Sequence, residues 1–201
     1  MDVAVVQTGT ANIASVIAGF RRLGATPTVT TNSDDVRNAH RLVLPGVGAF
    51  AAAMEQLQSL DLIDPLRERI TNKKPTLTIC LGLQLLLEGS QESPGIGGLG
   101  MIPGEATRFP DHVLVPQLGW NKISVSPGCK LLADGYAYFA NSYRLELAPD
   151  DWACATSEHG GSFVAAIEQD TLLACQFHPE LSGRWGHDLL ARWLETGGSP
   201  C

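Results

Sequence analysis

The chain has 201 residues, 44% hydrophobic and 17% charged, enough for one globular domain that buries roughly 70% of its unfolded surface. A net charge of −7 disfavours nucleic acid or an anionic membrane as partner, and no apolar run approaches the ~20 residues needed to cross a bilayer. Five irregularly spaced cysteines, without Cys-x-x-Cys or His-x-x-x-His, speak against a disulfide framework, a metal or a cofactor.

Met1 and Asp2 lead into a short apolar strand over residues 3–7 rather than a secretion signal, so one domain over 1–201 in a reducing cytoplasm is expected. Asn12 is placed to cap a helix over 13–23, closed by Gly24. Residues 26–31 are a β-branched strand. Ser33 caps a short helix whose Asp34 and Asp35 suit the positive end of the macrodipole. A third strand over 41–44 runs into Pro45-Gly46-Val47-Gly48 and a helix over 49–60. Residues 64–72 read as helix and 76–79 as strand, ahead of the helical-looking 83–87. This alternation predicts an α/β fold, a doubly wound, mostly parallel sheet with helices on both faces. Ligands of such sheets bind beyond the carboxyl ends of the strands. From about Gly95 the texture changes. Short β-rich stretches at 113–115, 122–125, 136–147, 152–156, 163–168 and 172–177 predict an antiparallel extension, followed by a last helix over 183–196.

Cys80 lies in Thr78-Ile79-Cys80-Leu81-Gly82, where a strand gives way to a tight turn and a helix. That is the nucleophile-elbow pattern, and the helix dipole with its orphan N–H groups favours a thiolate there. Far downstream stands Gln176-Phe177-His178-Pro179-Glu180. In extended chain His178 and Glu180 share a face, and Pro179 biases His178 toward that form. Thiol, imidazole and carboxylate together predict Cys-His-Glu nucleophilic catalysis, although each alone reads as a buried cysteine or a turn. Acyl chemistry also needs donors for an oxyanion. The Leu81 N–H is one, and the Pro45–Gly48 loop, otherwise a plain βα turn, offers another.

Cys80-Leu81-Gly82-Leu83-Gln84 and His178-Pro179-Glu180 resemble the two signatures of the triad-type, class I glutamine amidotransferases, with Thr78 where the family usually has glycine. Gly9-Thr10-Ala11-Asn12-Ile13, Pro45-Gly46-Val47-Gly48-Ala49-Phe50, Val115-Pro116-Gln117-Leu118-Gly119-Trp120-Asn121 and Gly160-Gly161-Ser162-Phe163 narrow the resemblance. They are similar to the glutaminase subunits of imidazole glycerol phosphate synthase, over nearly the whole chain. The resemblance implies Val47 and Gly48 in the oxyanion hole. It also implies Gln84, Glu92, Ser142 and Tyr143 at the glutamine site, and Asn12, Trp120, Asn121 and Leu181 at an interface with a (β/α)8-barrel cyclase subunit in a heterodimer. Gln117, Asn141 and Leu181 depart from the family, which has His, His and Lys or Arg there.

Two other functions stay open on the residues alone: the same glutaminase feeding a nucleotide-sugar amidination enzyme, or a non-catalytic interaction protein or other thiol hydrolase. Cys129, Cys154, Cys175 and Cys201 are expected to be packing or surface thiols. His40, His112, His159 and His187 are expected at the surface or in caps. Trp185 and Trp193, eight apart, should share the core face of the last helix.

Overall fold

The computed structural model describes residues 1–9, 12–150 and 152–196. Thr10 and Ala11 of the N-terminal motif, and Cys201, lie outside them. The first half runs β1 (Asp2–Val6), α1 (Ile13–Arg22), β2 (Thr26–Thr30), α2 (Ser33–Asn38), β3 (Leu42–Gly46), α3 (Phe50–Ser59), α4 (Ile63–Thr71), β4 (Thr76–Cys80) and α5 (Leu81–Leu85). Then come β5 (Gly89–Ser90), β6 (Glu105–Arg108), β7 (Gln117–Val125), β8 (Gly135–Asn141), β9 (Tyr143–Arg144), β10 (Ala153–Glu158), β11 (Ser162–Gln169) and β12 (Leu172–Cys175). A 3-10 turn (Pro179–Leu181) and α6 (Gly183–Glu195) complete the described chain. Nine strands form one sheet in the order β2-β1-β3-β4-β12-β11-β10-β7-β8, and β5, β6 and β9 form a small second sheet. The β2–β1–β3–β4–β12 part is parallel and the rest antiparallel, so the α/β architecture matches the expectation. No described helix is long and apolar enough to cross a membrane.

Strand alternation divides the core into two layers. Val3, Val5, Val43, Leu77 and Ile79 face α1 and α6, meeting Phe20 and Trp193. Ala4, Val6, Leu42 and Leu44 face the opposite way onto Val36, Phe50, Leu57 and Leu66 of α2, α3 and α4. Because both faces are covered, β3 and β4 are buried at every position, Thr76 and Thr78 of β4 included. Trp193 is fully buried against Phe20, and Trp185 is half-buried on Phe177.

Local differences from the expectation have plain causes. Asn32, not Ser33, caps α2: Ser33 is already the first helical residue, and Asn32, extended just before it, places Oδ1 to accept from both Asp34 and Asp35 N–H at 2.7 and 3.2 Å. Residues 113–115 are a loop rather than a strand. Val113 N–H donates back to Pro110, and the Leu114 carbonyl takes the His159 Nε2–H at 2.8 Å. The leucine run after Cys80 keeps its α-helix only to Leu85, since the Leu86 and Leu87 amides bond three residues back.

Candidate active site

Cys80 ends β4 with φ 54° and ψ −110°, a conformation strained for any L side chain, cysteine included, as at a nucleophile elbow. Two glycines make the turn possible. Gly46 pairs with Cys80 in the parallel register, and a Cβ on it would come within 2.9 Å of Leu81 Cβ. A Cβ on Gly82 would be driven into the Leu44 carbonyl oxygen. The start of α5 therefore rests directly on the end of β3.

β12 lies next to β4, with Cys175 opposite Ile79, so its continuation carries His178 to Cys80. His178 does not reach Glu180 along an extended strand. The chain turns at Pro179 into the 3-10 turn, which folds the carboxylate back so that His178 Nδ1–H donates to Glu180 Oε1 at 2.9 Å. Nε2 is then the nitrogen left for Cys80. The main chain of His178 is pinned at both ends: its N–H donates to the Tyr138 carbonyl at 2.9 Å, and its carbonyl accepts from Ser182 Oγ at 2.6 Å. The side chains of the pair are 7% and 3% exposed. Burial opposes charging the imidazole, but its hydrogen bonds and charge interactions with Cys80 and Glu180 outweigh this and push its pKa up to about 10. A cleft of about 130 Å³ opens over the sulfur, lined by Val47, Gly48, Leu81, Gln84, Glu92, Ser142 and Tyr143 with Ala140 and Asn141.

Glu92 is more than a solvated loop acid. Its Oε2 accepts the Phe50 N–H at 2.7 Å, capping α3 and tethering the loop that holds Val47 and Gly48. Gly48 has φ 93°, which favours glycine there. Three residues near the sulfur were not singled out from the sequence as site residues. Ala140 presents its carbonyl 4.0 Å from Sγ, Asn141 enters the cleft, and Gln176 donates to Sγ at 3.8 Å.

The expected interface residues lie outside the cleft. Asn12 caps α1, accepting from Ser15 N–H at 3.4 Å, and Asn121 donates to the Glu158 carbonyl at 2.7 Å. Trp120 and Leu181 are 54% and 41% exposed, and Gly183 brings the chain after Leu181 under the Trp120 ring. Cys129 and Cys175 are pushed up in pKa, first by burial and then by Glu168, and sit away from the cleft. Among the described residues no group of three His, Cys, Asp or Glu could hold a metal ion.

The pair makes stability depend on pH in a defined sense. A histidine pKa raised on folding stabilises fully below the unfolded value of ~6.5, and this is lost as pH rises through about 10. Glu180→Gln removes one source of that shift. The difference in melting temperature between wild type and Glu180→Gln should be large at pH 6 and shrink toward pH 10.5. A gap independent of pH would mean that Glu180 does not hold the imidazolium.

Residues 4–195 match the family described as glutamine amidotransferase class-I, the class that elbow and fold define. Among solved structures, one described as a glutamine amidotransferase superposes with a TM-score of 0.79 over 98% of this chain and 99% of that one, at 18% identity, a likeness of fold alone. The imidazole glycerol phosphate synthase subunit HisH of Methanothermobacter thermautotrophicus is 43% identical over 96% of this chain and 98% of that protein. That of Yersinia pseudotuberculosis is 40% identical over 97% of this chain and 100% of that protein. The Arabidopsis thaliana imidazole glycerol phosphate synthase hisHF, chloroplastic, is 39% identical over 92% of this chain, which covers 33% of that longer protein. The chain belongs to the family of imidazole glycerol phosphate synthase subunit HisH.

Proposed function

We propose that the chain hydrolyses glutamine through Cys80, His178 and Glu180 and passes the ammonia to a separate cyclase subunit of (β/α)8-barrel form, in the cytoplasm and as one glutamine amidotransferase domain. His178 takes the thiol proton while Glu180 holds the imidazole. The thiolate attacks the side-chain carboxamide, and the N–H groups of Leu81 and of the Val47–Gly48 loop stabilise the oxyanion. As the C–N bond breaks, His178 returns its proton to the departing ammonia, leaving a γ-glutamyl thioester. Water, deprotonated by His178, releases glutamate and restores the thiol. Gln84, Glu92, Ser142 and Tyr143 hold the substrate. The cyclase then uses the ammonia to convert a phosphoribulosyl aminoimidazole carboxamide nucleotide to imidazole glycerol phosphate and an aminoimidazole carboxamide ribonucleotide.

The observation that carries this reading is that Cys80 and the tethered Val47–Gly48 loop line one cleft, with the His178–Glu180 pair hydrogen-bonded to the Cys80 side chain. The family membership supports a cyclase partner, and the Arabidopsis relative, of which this chain covers 33%, has room for a second part on the same polypeptide. The surface around Trp120 and Leu181 is where that partner docks. Leu181 makes the contact apolar where relatives offer a cation, so an apolar partner residue should face it.

The test is glutamate release by the isolated chain and by its complex with the cyclase subunit and nucleotide ligand. The isolated chain should turn over slowly and the complex ~10²–10³ faster, the worth of one oxyanion donor brought into place. Full turnover by the isolated chain would sink the coupling, and none in the complex would sink the glutaminase.

A further inference from the structure

Two glutamines behind the nucleophile are locked into a single orientation by a backbone carbonyl. The Tyr143 carbonyl can only accept, so Gln84 must turn its NH₂ toward it, at 3.1 Å. The second hydrogen of that NH₂ points to Gln176, 3.0 Å away, which must answer with Oε1. Gln176 therefore has no choice but to aim its own NH₂ at Cys80 Sγ, at 3.8 Å. Asn141 Nδ2 adds a second donor to the Tyr143 carbonyl at 2.9 Å and keeps that oxygen committed. Gln176 is fully buried and Gln84 nearly so, so water does not compete for these groups. The Gln176 backbone is fixed as well, its N–H donating to the Ala165 carbonyl of β11 at 2.8 Å.

We propose that Gln176 holds the Cys80 sulfur anion, with Gln84 and the Tyr143 carbonyl as the positioning residues that fix the direction of its donor. The proposal rests on the thiol mechanism above. A donor on the side of the sulfur away from the cleft serves the ground-state anion and steers it. It leaves the face toward substrate open, a task distinct from that of the oxyanion donors. It also gives Gln84 a duty besides substrate binding, because turning its amide over would turn Gln176 over. The titratable groups that face the thiol are His178, on the chain segment that carries Gln176, and Glu92 and Tyr143 across the cleft.

Gln176→Glu is the sharp test, because it keeps the shape and the acceptor for Gln84 but replaces the donor at sulfur by an oxygen. Gln176→Met, of similar volume and neutral, gives the same measurement if a buried carboxylate prevents folding. Both are compared with wild type by iodoacetamide alkylation of Cys80 against pH, read by mass spectrometry, and by kinetics of glutamate release in the complete complex. The alkylation midpoint should rise by about one to two pH units, and kcat should fall roughly 10- to 100-fold with KM nearly unchanged, the range for losing one hydrogen bond to a charged group. A folded variant with midpoint and kcat like wild type overturns the proposal, as does a lower melting temperature with an unmoved alkylation profile. Cys80→Ala, run alongside, separates the two ideas. If it still releases glutamate, the thiol mechanism fails, whereas if it is inactive and the Gln176 variants behave as wild type, only the sulfur contact fails.

Discussion

Cys80→Ala should abolish glutamine-dependent product formation while the complete synthase still works on added ammonium salt. Loss of a covalent nucleophile removes ~10⁴–10⁶ of rate, since the remaining oxyanion donors and binding groups act on a reaction that has lost its attacking atom. Alanine keeps the Cβ that the backbone at φ 54° already accommodates, so the elbow should fold unchanged and the loss should report chemistry. Among the described residues, neither Cys175 nor Cys129 stands ready to substitute. Cys175 is buried, with a thiol pushed well above its usual pKa by burial and by Glu168 and Glu180, and Cys129 points to the Cys154 carbonyl at 3.5 Å. Glutamate release that survives the substitution would mean a different nucleophile and would remove Cys80 from the mechanism.

Gly82→Ala should be a highly damaging single-methyl change beside the nucleophile. Its Cβ would meet the Leu44 carbonyl, a backbone atom of β3 that cannot swing aside because Leu44 is paired in the sheet opposite Thr78. The clash is relieved only if α5 lifts from β3, which costs ~3 kcal/mol or more. Lifting α5 also moves the Leu81 N–H away from the oxyanion, and a 1 Å displacement costs ~10² in rate. Urea midpoints and kcat should fall together. Gly89→Ala is the control, since its Cβ would sit 3.6 Å from the nearest atom, an ordinary contact. Equal midpoints for the two variants would show that α5 is not pressed against β3.

Much of this was legible from residue order. The parallel half could be read because strands buried on both faces are written as short apolar runs, such as Val3-Ala4-Val5-Val6, separated by capped helices. Cys80 could be read because a strand, a small residue at Gly82 and a leucine-rich helix leave few other shapes for the turn. Val47, Gly48, Gln84, Glu92, Ser142 and Tyr143 were named from resemblance, and they meet at one cleft. The tether from Glu92 to Phe50 and the chain from Tyr143 through Gln84 to Gln176 were hidden, since both join residues dozens of positions apart and neither leaves a periodic signal. Capping by Asn32 rather than Ser33 was a choice between adjacent residues that only side-chain geometry decides. Nor does local propensity say that residues 113–115 would be a loop, because the decision rests with Pro110 and His159 elsewhere in the fold.

The position of β12 has a further consequence for how the molecule comes into being. It is the last strand among the described residues, yet it sits fifth in a sheet of nine, between β4 and β11. Until it arrives, β4 and β11 are open edges with unpaired amides, and the two halves of the sheet share no hydrogen-bonded border. A ribosome-bound chain therefore holds its cysteine long before it holds the histidine and carboxylate. The thiol gains its imidazole and carboxylate partners in the same event that closes the sheet. Assembly is thereby late and dominated by pairing between distant segments, so it should be slow for a chain of this size and sensitive to conditions that favour strand exchange between molecules.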